Sequence, residues 1–412
     1  MRLRLLLMMR TLLSAFLLIL AIITGLEFYL RSQMPLRAPC IATAAGLDFQ
    51  YLLKPSDVCH HEVRSSSAFR IGPDGQRYVI RTNRLGIRGA DIAVPKDSGT
   101  FRILILGDEN VFGPLVPERQ TISSRMQSLL SGRLQKKVEV INGGVPGFCP
   151  LLCLLNYQEN LTELQPDLVV LHFDMTDVAD DTSYRMFLKE SSQRLVCTHP
   201  ELAVRNSSPL PGAFIRKLKR TALGTWALNS AERYTACECR GSDRLFQSEL
   251  PLAWISDSPP DLEYQVKNAL EPVLQLQKVV QRGGGQLLVS TCPVIWQQLP
   301  DTAAPRLAES SRVTGPTPCR GTLPFRIIQL FCESNSIPFL DASQQFRAFR
   351  SPEKLYSRSH LMLSGYGMAL YSREIARFIL NHSDEYLSQV LSHSGSSEEL
   401  SSQLSVNGEI QQ

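Results

Sequence analysis

The sequence predicts an α/β fold in which a parallel sheet of five strands is covered by helices on both faces. Three observations predict it. The stretch Arg102–Asn110 begins as a continuous apolar run, Ile103 to Leu106, and ends in Gly107-Asp108, as a buried central strand entering a turn does. Four further short apolar runs, at 138–141, 168–173, 286–290 and 337–340, alternate with helical patterns. Those helical patterns carry apolar residues three and four apart, which makes one stripe able to lie on a sheet.

The elements follow in order. After strand 102–106, residues Ile122, Met126, Leu129, Leu130 and Leu134 form one helix face. Strand 138–141 leads to a helix over about 151–164 and then to strand 168–173. A long helix around 262–281 is stopped by Gly283-Gly284-Gly285 and precedes strand 286–290. A helix around 324–335 leads to strand 337–340, and a last helix covers roughly 363–381. An insertion, 183–261, breaks this rhythm. Within it Phe214–Leu228 mixes basic and apolar residues at helical spacing, which fits a lid burying Phe214, Leu218 and Trp226 or an anionic membrane surface. The expected organisation is an N-terminal anchor (1–31), an arm rich in Pro, Gly and Arg (32–100), the α/β domain (101–382) and a tail (383–412). The tail has five acidic residues, no Lys or Arg and many serines, and is expected to be disordered.

Composition bounds the partners. The 412 residues are 43% hydrophobic and 20% charged, and the formal charge of +4 comes from scattered residues, which argues against a nucleic-acid partner. The ten cysteines show no zinc spacing: Cys237-x-Cys239 is too tight, and Cys149 and Cys153 suit packing at a helix start. There is no phosphate loop. No metal and no cofactor is therefore expected. The even cysteine count permits disulfides outside the cytoplasm, with the pairs unassigned.

The N-terminus bears on location. Arg2, Arg4 and Arg10 precede the apolar run Thr11–Leu26, and Phe28, Tyr29 and Leu30 extend it past Glu27. Counted back over Leu5 to Met9, this is long enough to cross ~30 Å of hydrocarbon. The basic residues before the span favour a cytoplasmic N-terminus and an extracytoplasmic main domain, although Arg31 and Arg37 weaken the asymmetry. An uncleaved single-pass membrane anchor is expected over a cleaved signal peptide, because no small-x-small site follows the run cleanly.

Several segments resemble the signature blocks of the SGNH (GDSL) hydrolase superfamily. Gly107-Asp108-Glu109 resembles the first block, with Glu109 where the family has its nucleophilic serine. Val138–Gly147 resembles the second, with Gly144 in the place of the glycine whose N–H helps line the oxyanion hole. Pro166–Asp177 is similar to the third, with Thr176-Asp177 where the family has Asn-Asp. Ser359–Gly367 resembles the last, with His360 as the histidine, and Thr82–Gly89 is similar to a segment that opens many bacterial members. The resemblance implies a flavodoxin-like three-layer α/β/α fold. It also implies ester substrates, often acylated glycans at the cell envelope.

The substitutions bear on the chemistry that this resemblance implies. Serine-ester hydrolysis needs a hydroxyl, a histidine, an acid orienting the histidine and oxyanion donors. Glu109 supplies a negative charge where the oxyanion would develop, and Thr176 is shorter than an amide donor. Ser357 and Arg358 stand where the acid is expected; Asp108, Asn110 and Asp177 are the polar neighbours. Losing one oxyanion donor costs ~10² to 10³ in turnover, and losing the orienting acid costs ~10⁴. Two functions follow: a membrane-tethered pseudoenzyme that binds a ligand or partner, or a divergent hydrolase in which Glu109 activates water with His360 as its partner.

Overall fold

A computed structural model of the chain describes residues 14–16, 18–26, 29, 52–71, 78–134, 136–191, 194–200, 202, 262–298, 322–357 and 362–387. The chain divides into two units, residues 1–40 with 200–247, and residues 41–199 with 248–412. In the first unit, residues 14–16 and 18–26 are helical, and their apolar side chains, Leu18 and Ile22 among them, are exposed. Among the described residues no helix is long and apolar enough to cross a membrane. Parts of the expected anchor, residues 1–13, 17, 27–28 and 30–31, lie outside them, as do segment 214–228 and the tail from 388.

In the second unit two short antiparallel hairpins come first, β1 (Leu53–Pro55) with β2 (His61–Val63) and β3 (Ala68–Ile71) with β4 (Tyr78–Arg81). The alternating region follows: β5 (Thr100–Gly107), α1 (Glu109–Phe112), α2 (Ile122–Leu130), β6 (Lys137–Gly144), α3 (Pro150–Asn156), β7 (Leu168–His172) and α4 (Thr176–Arg185). The start of the expected insertion is a third hairpin, β8 (Leu188–Ser191) with β9 (Arg194–Cys197). The alternation resumes with α5 (Leu262–Arg282), β10 (Gln286–Thr291), α6 (Leu323–Ser334), β11 (Phe339–Asp341), α7 (Ser343–Arg347) and α8 (Gly365–Asn381).

The sheet has the order β11-β10-β7-β5-β6, and every pairing is parallel. Alternation along β5 divides the core. Phe101, Ile103 and Ile105 meet Met126 of α2 and Ile375 of α8 on one face. Leu104 and Leu106 meet Leu152 of α3, Val273 of α5 and Ile328 of α6 on the other. The apolar stripe read at 122–134 is thus buried, though α2 itself ends at Leu130. The helix expected over 151–164 is α only to Asn156, then a wider π turn to Leu161 and a 3-10 turn to Leu164.

This topology places the site. The chain leaves β5 toward β6 on one side and later returns to β7 on the other. The order therefore reverses between β5 and β7, and their carboxyl ends open a crevice.

Candidate functional site

The carboxyl end of β5 delivers Asp108, which caps α1: its Oδ1 accepts the Asn110 N–H at 2.8 Å. Glu109 is the first residue of α1 and is buried, and its Oε2 accepts the Gly147 N–H at 2.9 Å. Asn110 binds in several directions. Its Nδ2 donates to Asp108 Oδ2 (3.4 Å) and Asp174 Oδ2 (3.2 Å), and its Oδ1 accepts the Leu363 N–H at 3.0 Å.

The end of β7 delivers His172 and, two residues on, Asp174. Asp174 Oδ1 accepts from the Thr176 N–H (2.8 Å) and hydroxyl (2.6 Å), and the Asp174 N–H donates to Asp177 Oδ2 at 2.7 Å. Nδ1 of His172 is 2.9 Å from the Tyr371 hydroxyl, which donates to Ser290 Oγ at 2.8 Å. Burial raises Asp108 well above the usual carboxylate range, and the Glu109 and Asp174 charges add to it. Burial also raises Glu109, against the Gly147 hydrogen bond. Asp174 goes the other way: burial opposes its charge, but His172 and the Thr176 donors together outweigh it and lower its pKa.

Helix α1 is held from below and behind. Gly144 N–H donates to Asn142 Oδ1 (3.1 Å), and a Cβ on Gly144 would lie 2.4 Å from the Phe112 nitrogen. Gly144 is thus the seat on which α1 rests, and the amide facing the Glu109 carboxylate belongs to Gly147, whose φ of +75° aims it. Arg88, inside the segment Thr82–Gly89, closes the other end of α1. Its Nη1 donates to the carbonyls of Phe112 (2.8 Å) and Gly113, and its Nη2 to Val116 O (2.8 Å).

A cluster of histidines backs the Gly147 turn. Nε2 of His61 lies 2.8 Å from the Pro146 carbonyl, which only accepts, so Nε2 carries the proton. His60 Nδ1, 2.9 Å from His61 Nδ1, must then donate to it. Burial lowers the pKa of His60 to about 2 and that of His61 to about 4, so both rings are neutral at pH 7.

Of the residues expected from the sequence, Asp108, Asn110, Thr176 and Asp177 meet in one hydrogen-bonded cluster with Asp174, beside Glu109. Gly144 is in the seat of α1. Ser357 donates its N–H to Met362 O at 2.9 Å, and Tyr356 pairs with Leu363. Arg358 and His360 lie outside the described residues. His172, Asp174, Gly147 and Tyr371 were not anticipated. The signal for His172 and Asp174 was present as two polar residues closing the otherwise apolar strand of the segment Pro166–Asp177. The side chain at the end of β5 is thus a carboxylate, and the backbone donor that faces it is already engaged.

No protein-family model matches the chain, and no curated protein matches it. Among solved structures it is similar to a lipase/acylhydrolase from Enterococcus faecalis, at 14% identity over 68% of this chain and 96% of that one, with a TM-score of 0.34. A GDSL-like lipase from Bacteroides thetaiotaomicron is 13% identical over 70% and 91%, with a TM-score of 0.34. An acetylxylan esterase from Geobacillus stearothermophilus is 11% identical over 67% and 92%, with a TM-score of 0.33. Such identities and TM-scores transfer no activity to this chain, whose residues must carry the functional reading.

Proposed function

We propose that this chain is an SGNH-hydrolase-like domain that has lost serine-ester chemistry and serves as a ligand- or partner-binding domain, tethered at the cell envelope. The observation that carries this reading is the 2.9 Å bond from the Gly147 N–H to Glu109 Oε2. A donor facing the strand-end position would serve an oxyanion in an esterase. Here the residue in the nucleophile's place brings its own anion and uses that donor. The Thr176 hydroxyl, in the place of the family's asparagine, is turned to Asp174 Oδ1. By resemblance, the ligand class is an acylated glycan or a small ester.

The tether is part of the same proposal. It is supported by the basic residues before the apolar run and by the exposed apolar side chains of helical residues 18–26. A reporter fused after Gln412 is expected to be active only if it works outside the cytoplasm, and a cytoplasmic signal rejects this orientation.

One observation favours the second reading, a divergent hydrolase: burial raises the Glu109 pKa, toward the range where a carboxylate serves as a general base on water. The full-length protein assayed on short acyl esters separates the two. The pseudoenzyme shows no turnover above background, and Glu109→Ser alone restores little because the other roles are missing too. Glu109→Ser with Thr176→Asn and Arg358→Asp, or with Ser357→Asp in place of the last, rebuilds the roles and is expected to give measurable hydrolysis. Wild-type turnover that Glu109→Gln abolishes establishes the hydrolase instead. Turnover that survives both Glu109→Gln and His360→Ala rejects Glu109 and His360 as its carriers.

A further inference from the structure

The hydrogen atoms around His172 can be followed one by one. Ser290 Oγ lies 3.5 Å from the Leu171 carbonyl, which can only accept, so the serine proton points there. Ser290 Oγ therefore accepts from Tyr371, at 2.8 Å. With its own proton spent, the Tyr371 oxygen accepts from His172 Nδ1–H at 2.9 Å. In the neutral ring this leaves His172 Nε2 as a bare lone pair. Nε2 is buried and makes no hydrogen bond, and it lies 3.4 Å from Asp174 Oδ2. A lone pair facing a carboxylate oxygen inside a protein is repulsive unless positive charge stands between them, either a proton on the ring or a metal ion.

The surroundings sharpen that demand. Asp108, His172 and Asp174 are each 2% exposed, and one donor atom from each lies within 4.8 Å of the other two. Among the described residues no Lys or Arg makes an ion pair with Asp108, Glu109, Asp174 or Asp177. The donors that reach Asp108 and Asp174 include the Asn110 amide and the Thr176 hydroxyl, which are neutral and leave the charge uncompensated. A ring nitrogen oriented by a hydrogen bond at its other nitrogen, with two buried carboxylates beside its free lone pair, is the arrangement by which proteins hold metal ions.

We infer that Asp108, His172 and Asp174 bind one divalent first-row cation, through His172 Nε2 and one carboxylate oxygen from each aspartate. One imidazole with two carboxylates suits Mn²⁺, Fe²⁺ or Zn²⁺. It does not suit Ca²⁺ or Mg²⁺, which take all-oxygen shells, or Cu⁺, which prefers sulfur. The site sits at the carboxyl ends of β5 and β7, and it stands whether or not the domain hydrolyses esters. Tyr371 acts here as a positioning residue that fixes the ring and its tautomer.

The test uses full-length protein stripped with chelator, desalted and titrated with Mn²⁺, a probe that the buried thiols do not compete for. One ion per chain is expected, together with a rise in the thermal unfolding midpoint. Asp108→Asn is expected to abolish stoichiometric uptake. Tyr371→Phe, which keeps every ligand and only frees the ring, is expected to weaken binding by about 10- to 100-fold with an unchanged circular dichroism spectrum. If Asp108→Asn does not fold, Tyr371→Phe decides. Folded wild-type protein that takes up neither Mn²⁺ nor Zn²⁺ overturns the site and assigns the cation to a shared proton. Uptake unchanged in folded Tyr371→Phe overturns it as well. Neither readout depends on ester turnover, so this inference and the proposed function fail separately.

Discussion

The Glu109 carboxylate and the Gly147 amide, 38 residues apart in the chain, are joined by a 2.9 Å hydrogen bond that offsets part of the cost of burying the Glu109 charge. The bond and the charge can be separated. Glu109→Gln keeps an acceptor for the Gly147 N–H and removes the charge, so it is expected to stabilise the fold by about 1–2 kcal/mol. Glu109→Ala leaves the N–H unpaired and is expected to cost about 1–3 kcal/mol. Urea unfolding of both variants checks the pair of signs, and two destabilisations would remove the argument that the carboxylate is held at a cost.

Arg88 is expected to be needed for its shape as well as its charge. Arg88→Met takes a donor from three carbonyls, those of Phe112, Gly113 and Val116, leaving the first two with one weaker donor each, and should cost about 3 kcal/mol in equilibrium unfolding. Arg88→Lys should recover little of this, because an ammonium cannot fork across all three. A lysine variant as stable as wild type would show that α1 does not depend on this cap.

The two glycines flanking the Val145-Pro146 step should respond differently. Gly144→Ala forces a methyl to within 2.4 Å of the Phe112 nitrogen, which is backbone and cannot yield, so the loss should exceed about 3 kcal/mol. Gly147→Ala brings the strain of φ +75°, about 1–2 kcal/mol. Thermal melts of the two variants should rank them in that order, and the reverse order would make Gly147 the packing glycine.

The histidine cluster should lose stability in acid, against the opposite contribution of the raised carboxylates Asp108 and Glu109. His61 faces His60, His199, Glu62 and Tyr184, and its pKa falls from 6.5 to about 4 on folding. Below pH 6.5 the unfolded chain gains a proton that the folded chain refuses until about pH 4, so stability is fully present above 6.5 and drains between those values. The loss is on the order of 3 kcal/mol over that window. His60, lowered from 6.5 to about 2, adds a similar loss over the same window and extends the decline to about pH 2. His61→Gln should roughly halve the histidine contribution to the slope between pH 6.5 and 4 in denaturant titrations, and an unchanged slope would place the proton uptake elsewhere.

Much of the scaffold was legible because it rests on local pattern. The run Ile103–Leu106, ended by Gly107-Asp108, reads as a strand buried on both faces, and the alternation after it leaves few ways to order five strands. The site was legible where it sits at a strand end, as Asp108 and Glu109 do. It was not legible where direction matters. Gly143, Gly144 and Gly147 stand within five residues, and composition cannot say whose N–H turns toward position 109. That depends on which glycine α1 rests on and which takes a positive φ. His172 escaped for a related reason: its partner Tyr371 lies 199 residues away on α8, a pairing that no local window contains.

The bond from the Leu363 N–H to Asn110 Oδ1 spans 253 residues, and it sets a schedule for the growing chain. At translation speeds of about 5–20 residues per second, Asp108 and Asn110 emerge some tens of seconds before the segment that closes over them. Throughout that interval the nascent carboxylates stay hydrated, and the apolar face of the sheet that α8 will cover is open to chaperones and to neighbouring chains. A ribosome-bound fragment ending before residue 363 therefore carries every strand of the sheet but not the assembled pocket, which is completed only when the last helix docks.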